Sequence, residues 1–116
     1  MKTILLIVAL LGFITIGTGQ QTKFKTIKIK TSAICGECEE RIETKLNYSK
    51  GVKYADLDLK TNIITVKYNT KILNAEDVKK IVSLLGYHAN DVERDIEGFK
   101  SLPACCRDSS ATCTKK

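Results

Sequence analysis

Apolar and polar residues alternate from Thr26, with Ile27, Ile29 and Thr31 on one side and Lys28 and Lys30 on the other, a period of two that predicts a half-buried strand over Lys23 to Thr31. The period changes after the loop Ser32 to Glu37. Cys38, Ile42 and Leu46 recur at i, i+4 and i+8 among Glu39, Glu40, Arg41, Glu43 and Lys45, which predicts an amphipathic helix over Glu39 to Leu46 whose inner stripe begins with a thiol. Ser49, Lys50 and Gly51 end it. Alternation returns over Val52 to Leu59, where Ala55, Leu57 and Leu59 interleave with Asp56 and Asp58, and a turn at Lys60 to Asn62 leads into Ile63 to Tyr68, a hairpin. Asn74 is placed to cap a second helix with Glu76 and Asp77 in its first turn, Val78, Ile81, Val82 and Leu85 on one side, and Gly86 at its end. Tyr87 to Val92 reads as a final strand.

The order βαββαβ, two βαβ halves around one hairpin, most economically folds as an α+β ferredoxin-like sandwich: a four-stranded antiparallel sheet with both helices on one face. Right-handed crossovers then run the first two strands one way and the last two the other. The loop after strand one and the start of strand four meet at one end of the sheet, so Cys35, Cys38 and Tyr87 are expected to be neighbours.

The first nineteen residues are of another kind. Lys2 precedes an unbroken apolar run from Ile4 to Leu11, continued by Phe13 and Ile16 and followed by Gly17 and Gly19. The run is shorter than the roughly 20 residues a membrane helix needs, which predicts a secretory signal over 1–19 and a secreted or periplasmic product. The expected organisation is thus a signal at 1–19, a domain at 23–92, a helical extension at 93–106 and a disordered tail at 107–116.

The net charge of +6 over 116 residues changes this picture little. Its lysines alternate along a strand (Lys23, Lys25, Lys28, Lys30) and are not clustered with aromatics, which argues for a solvated strand face and against nucleic acid as a partner. A monomer is expected. The cysteines at 35, 38, 105, 106 and 113 change it more, because an odd number in an exported chain implies a reactive or metal-bound thiol unless one pairs between molecules. Cys35 and Cys38, three positions apart at a helix start where free amides and the helix dipole favour thiolate, can converge on one soft metal ion or exchange as a dithiol and disulfide. Two thiolates suit Cu(I) or Hg(II), whereas Zn(II) normally takes four ligands and becomes reasonable only if Cys105 and Cys106 join. The alternative is a thiol-disulfide redox protein. A thioredoxin-like oxidoreductase is disfavoured by the absence of Trp, by a single proline, Pro103, placed after the last strand, and by an element order without the later ββα unit.

Strand, Cys35-Gly36-Glu37-Cys38, helix, hairpin, a helix ending in Leu85-Gly86-Tyr87, then a strand: over about Phe24 to Val92 this resembles the heavy-metal-associated domain of copper chaperones, periplasmic mercury-binding proteins and the N-terminal modules of heavy-metal P-type ATPases. The family loop reads G-M-x-C-x-x-C; both cysteines match, while Ser32 and Ala33 stand where the Gly and Met would be. The resemblance implies an ion carrier and no enzyme, with Cys35 and Cys38 as metal ligands, Tyr87 packed near the site, and a membrane heavy-metal transporter or P-type ATPase as the partner.

Ile96, Phe99 and Leu102 have helical spacing, and Pro103 stops the helix before Ala104-Cys105-Cys106. If strand four carries the chain roughly 20 Å away from the site, a helix over Glu93 to Leu102 recovers roughly 15 Å. Extended residues around Pro103 add about 10 Å. Cys105 and Cys106 can then return to the metal end as further ligands or as a resolving pair, pinned by Ile96, Phe99 and Leu102. Cys113, near the end of the tail, is expected to have no fixed partner.

Overall fold

The computed structural model describes residues 23–108; the signal expected at 1–19, Cys113 and most of the tail expected at 107–116 lie outside them. Three strands, β1 (Phe24–Lys30), β2 (Val52–Asp58) and β3 (Ile63–Asn69), form an antiparallel sheet in the order β1-β3-β2. Helices α1 (Gly36–Asn47) and α2 (Ala75–Leu84) complete the sandwich, and two short helices, α3 (Ile96–Lys100) and α4 (Ala104–Arg107), follow.

Register explains the core. Ile29, Ile64 and Leu57 stand in one row across the three strands, and Ile27, Val66 and Ala55 in the next. Side chains two apart share a face, so both rows join the buried residues of α1 (Cys38, Ile42 and Leu46) and of α2 (Val78 and Val82) in a single cluster. Lys28 and Lys30 of β1 fall on the opposite, exposed face. The outer edge of β2, whose unpaired backbone would otherwise invite another strand, is occupied by α1: the Ala55 amide donates to Asn47 Oδ1 at 3.0 Å, and the Leu57 amide donates to Glu43 Oε1 at 2.9 Å.

The expected fourth strand does not form. Tyr87 to Val92 contributes only isolated bridges, Thr31 to Ala89 and Ala89 to Val92, and the sheet has three strands. Asn90 takes a left-handed conformation with φ 53°, and Ala89 and Val92 exchange both backbone hydrogen bonds at 3.0 Å, so the chain closes on itself where a strand would have continued along β1. What remains of the pairing is one residue deep. The Lys30 amide donates to Asn90 Oδ1 at 2.8 Å and the Asn90 amide donates to the Lys30 carbonyl at 2.9 Å.

The extension also departs from the single helix expected over Glu93 to Leu102. It is split into α3, capped by Asp95, whose carboxylate accepts from the Gly98 amide at 2.9 Å, and α4, which starts after Pro103 and takes in Arg107. Phe99 is partly buried and Leu102 fully, but Ile96 is 59% exposed and pins nothing. The turn at Asn90 leaves the extension beside the C-terminal end of α2: the Asp95 amide donates to the Ser83 carbonyl at 2.9 Å, and the Ser83 hydroxyl donates to the Glu93 carbonyl at 2.7 Å. Among the described residues no helix is long and apolar enough to cross a membrane.

Candidate functional site

Helix α1 begins at Gly36, three residues earlier than the periodicity predicts. Cys35 is therefore its N-cap, in an extended conformation and without a side-chain capping bond, and Cys38 sits in its first turn. An N-cap hydroxyl or carboxylate normally turns inward to bond the first amides. Here the thiol instead faces its partner: the two Sγ atoms lie 3.5 Å apart, with Cys35 half-buried and Cys38 buried.

The loop beneath is fixed by polar contacts to both neighbouring segments. Ala33, where the resembled family has Met, is buried, and its amide donates to Thr31 Oγ1 at 3.3 Å. Thr31 Oγ1 donates in turn to the Asn62 carbonyl at 3.2 Å, and Ser32 Oγ accepts from the His88 amide at 2.9 Å. That last bond holds Tyr87 against the thiols. The phenol is 1% exposed, and its hydroxyl makes no hydrogen bond of good geometry. His88 turns away from the thiols towards Arg94, whose Nε donates to His88 Nε2 at 3.0 Å.

The extension supplies the remaining wall. Cys105 and Cys106 are both buried, and the Sγ atoms of Cys35, Cys105 and Cys106 all lie within 4.8 Å of one another. The Cys35 thiol also reaches the Cys105 carbonyl at 3.8 Å. Cys105 is disulfide-bonded, whereas Cys35, Cys38 and Cys106 are not. The adjacent pair is therefore divided in role, a division that no spacing in the sequence announces.

Burial opposes ionisation of Cys38, but a backbone hydrogen bond at Ile34 and the nearby Tyr87 hydroxyl, Cys106 thiol and Cys35 thiol outweigh it and hold Cys38 below the ordinary thiol value. Cys106 moves the other way: burial first, and then the neighbouring Cys38, push it up to about 12. Tyr87 is likewise raised by burial and then by Cys38, so its phenol stays protonated. One buried thiol is thus held more acidic than usual beside two others and a hydroxyl.

The loop, the two cysteines and the aromatic were legible in the sequence. The return of Cys105 and Cys106 to the loop was within reach of chain length, but the way the extension is seated was not, because it depends on Gly98, whose backbone lies against Leu84 and Gly86 and which no periodicity marks.

The heavy-metal-associated domain family model matches residues 30–88, just over half of the chain. A copper-exporting P-type ATPase of Bacillus subtilis is 40% identical over 53 residues, which cover 46% of this chain and 7% of the ATPase. The human copper-transporting ATPase 2 is 34% identical over 65 residues, 56% of this chain and 4% of that protein, so the chain spans only a small part of either ATPase. Among solved structures, the N-terminal domain of a potential copper-translocating P-type ATPase from Bacillus subtilis in the Cu(I)-loaded state superposes with a TM-score of 0.54 at 31% identity, covering 58% of this chain and 85% of that one.

Proposed function

The chain belongs to the heavy-metal-associated domain family, and from that premise we propose that it is an exported protein that carries or scavenges a soft metal ion, Cu(I) before Hg(II), through the thiolates of Cys35 and Cys38. The observation that carries the reading is the 3.5 Å approach of the Cys35 and Cys38 sulfurs, neither of them in a disulfide, at the start of α1. Soft sulfur donors select soft ions, and the group of ligand atoms that Cys35 forms with Cys105 and Cys106 is likewise all sulfur. Copper is preferred to mercury because the relatives above are copper ATPases and the matching solved domain holds Cu(I).

The arrangement supports carriage over catalysis. Cys38, held below the ordinary thiol value, takes the ion, while Cys35, half-buried at the rim, is the thiol through which an acceptor's thiolate can enter. A membrane heavy-metal transporter or P-type ATPase is the corresponding partner. Four sulfurs for Zn(II) would need Cys105 released from its disulfide.

The test is Cu(I) competition against a chromophoric chelator. Cys35→Ser and Cys38→Ser should each lose tight binding while keeping the parent's circular dichroism, and a variant that keeps the parent's affinity would overturn the assignment. Native mass spectrometry with Cu(I), Hg(II) and Zn(II) in competition ranks the ions.

One observation favours a second reading, thiol-disulfide exchange: the sulfur of the disulfide-bonded Cys105 lies within 4.8 Å of the Cys35 sulfur, which is not in a disulfide. Appreciable insulin reduction by the dithiol form would put that reading first.

A further inference from the structure

A two-thiol ligand set leaves Cys106 without a role. Its side chain is 4% exposed and not in a disulfide, and its Sγ lies within 4.8 Å of Cys35 Sγ. Its position is built through a continuous series of contacts. The Asp95 amide bonds the Ser83 carbonyl, the backbone of Gly98 packs against Leu84 and Gly86, and the Arg94 guanidinium sits 4.3 Å from the centre of the Phe99 ring. Leu102 then enters the core, and the Cys106 amide donates to the Pro103 carbonyl at 2.9 Å, turning α4 so that its sulfur side meets α1. A tail with no function at the loop would not need this much structure to arrive there.

Of the two adjacent cysteines only one can ligate. The Cys105 sulfur is spent in a disulfide, which leaves a neutral and weak donor, whereas Cys106 is free. We propose that Cys106 is a third sulfur ligand, so that α4 closes the two-thiol loop into a Cys35, Cys38 and Cys106 site for Cu(I). The proposal rests on the reading of Cys35 and Cys38 given above and deepens it. As the ion binds, Cys106 gives up its proton to solvent, since a coordinating thiol must be deprotonated. A third thiolate also fills the position by which an acceptor's sulfur would otherwise enter. The ion is then retained, and the site suits scavenging, or release only after α4 is displaced.

X-ray absorption at the copper edge on the full chain, with its disulfide intact and one equivalent of Cu(I) supplied without added thiol, counts the sulfurs. Three per copper are expected for the parent and for Cys105→Ser, and two for Cys106→Ser. Copper transfer from Cys106→Ser to a chelator should be faster by about tenfold or more, the change expected from losing roughly 1.4 kcal/mol of interaction. Bound copper with two sulfurs in the parent would overturn the proposal and leave the two-thiol reading standing. No tight copper binding by the parent would overturn both. Three sulfurs in Cys106→Ser with two in Cys105→Ser would transfer the role to Cys105 and also refute it. The parent's own sulfur count decides even if a variant does not fold.

Discussion

Gly86 and Gly98 pack against each other so closely that neither position has room for a side chain. A Cβ on Gly86 would lie 2.5 Å from the Phe99 amide nitrogen, and one on Gly98 would lie 2.9 Å from the Gly86 nitrogen and against the Leu84 carbonyl. Gly86 also has φ +106°, which few other residues adopt. This crossing seats the extension on the end of α2. Gly98→Ala should therefore cost about 1–3 kcal/mol through overpacking. Gly86→Ala should cost more, because backbone strain adds to the clash. Urea denaturation followed by circular dichroism measures both, and a loss within about 0.5 kcal/mol for Gly98→Ala, the level of an ordinary surface change, would mean that the extension is not docked as described.

Tyr87 is buried with its hydroxyl lacking a hydrogen bond of good geometry, beside a thiol whose ionised form that hydroxyl favours. Tyr87→Phe removes a costly group from the neutral site, so at mildly acidic pH the metal-free protein should keep its stability or gain up to about 1 kcal/mol. Cys38 should respond in the opposite sense: without the hydroxyl the thiolate is less favoured, so the pH midpoint of its alkylation rises towards the ordinary thiol value. Iodoacetamide rates against pH test the second effect, and thermal unfolding the first. An unchanged midpoint would show that the phenol packs without acting on the thiol.

How much of this could be read from the chain follows from the range of each interaction. The rows Ile27, Ile29 and Ala55, Leu57, the stripe Cys38, Ile42, Leu46 and the cap at Asn74 are local patterns, and each lies where its period puts it. Tyr87 to Val92 has strand-forming residues on both sides of Asn90, and the left-handed conformation that ends the pairing is set by contacts with Lys30, sixty positions away. The extension failed in detail for a similar reason. Ile96 fits a helical stripe, yet α3 is oriented by Asp95 and Gly98, and the stripe turns outward. That Cys105 and Cys106 come to the thiol loop was within reach of chain-length arithmetic, but no spacing marks Cys105 and not Cys106 as the disulfide-bonded one.

Helix α2 starts with a capping box in which the Asp77 amide donates to Asn74 Oδ1 at 2.8 Å and the Asn74 amide donates to Asp77 Oδ2 at 2.9 Å. Asn74→Ala removes one arm and should cost about 1 kcal/mol, while Asn74→Ser, which keeps an acceptor, should cost only a fraction of that. Thermal melts of the two variants give the comparison. Equal losses would assign the effect to packing and not to the cap.

Asn90 does two things at the edge of β1, and two substitutions separate them. Its φ of 53° strains any residue with an ordinary Cβ, and its side chain accepts the Lys30 amide at 2.8 Å. Asn90→Gly keeps the turn and loses the side-chain bond, a cost of about 0.5–1.5 kcal/mol. The extra freedom that glycine brings to the unfolded chain adds to that cost. Asn90→Ala loses the same bond and must also hold the left-handed conformation, roughly 1–2 kcal/mol more. The expected order of stability is parent, then Gly, then Ala. In both variants the Lys30 amide should exchange its hydrogen faster, since its acceptor is gone. Ala equal to or better than Gly would mean that the segment relaxes into an extended path along β1, the fourth strand that the parent lacks, and hydrogen exchange at Lys30 would then slow instead of quickening.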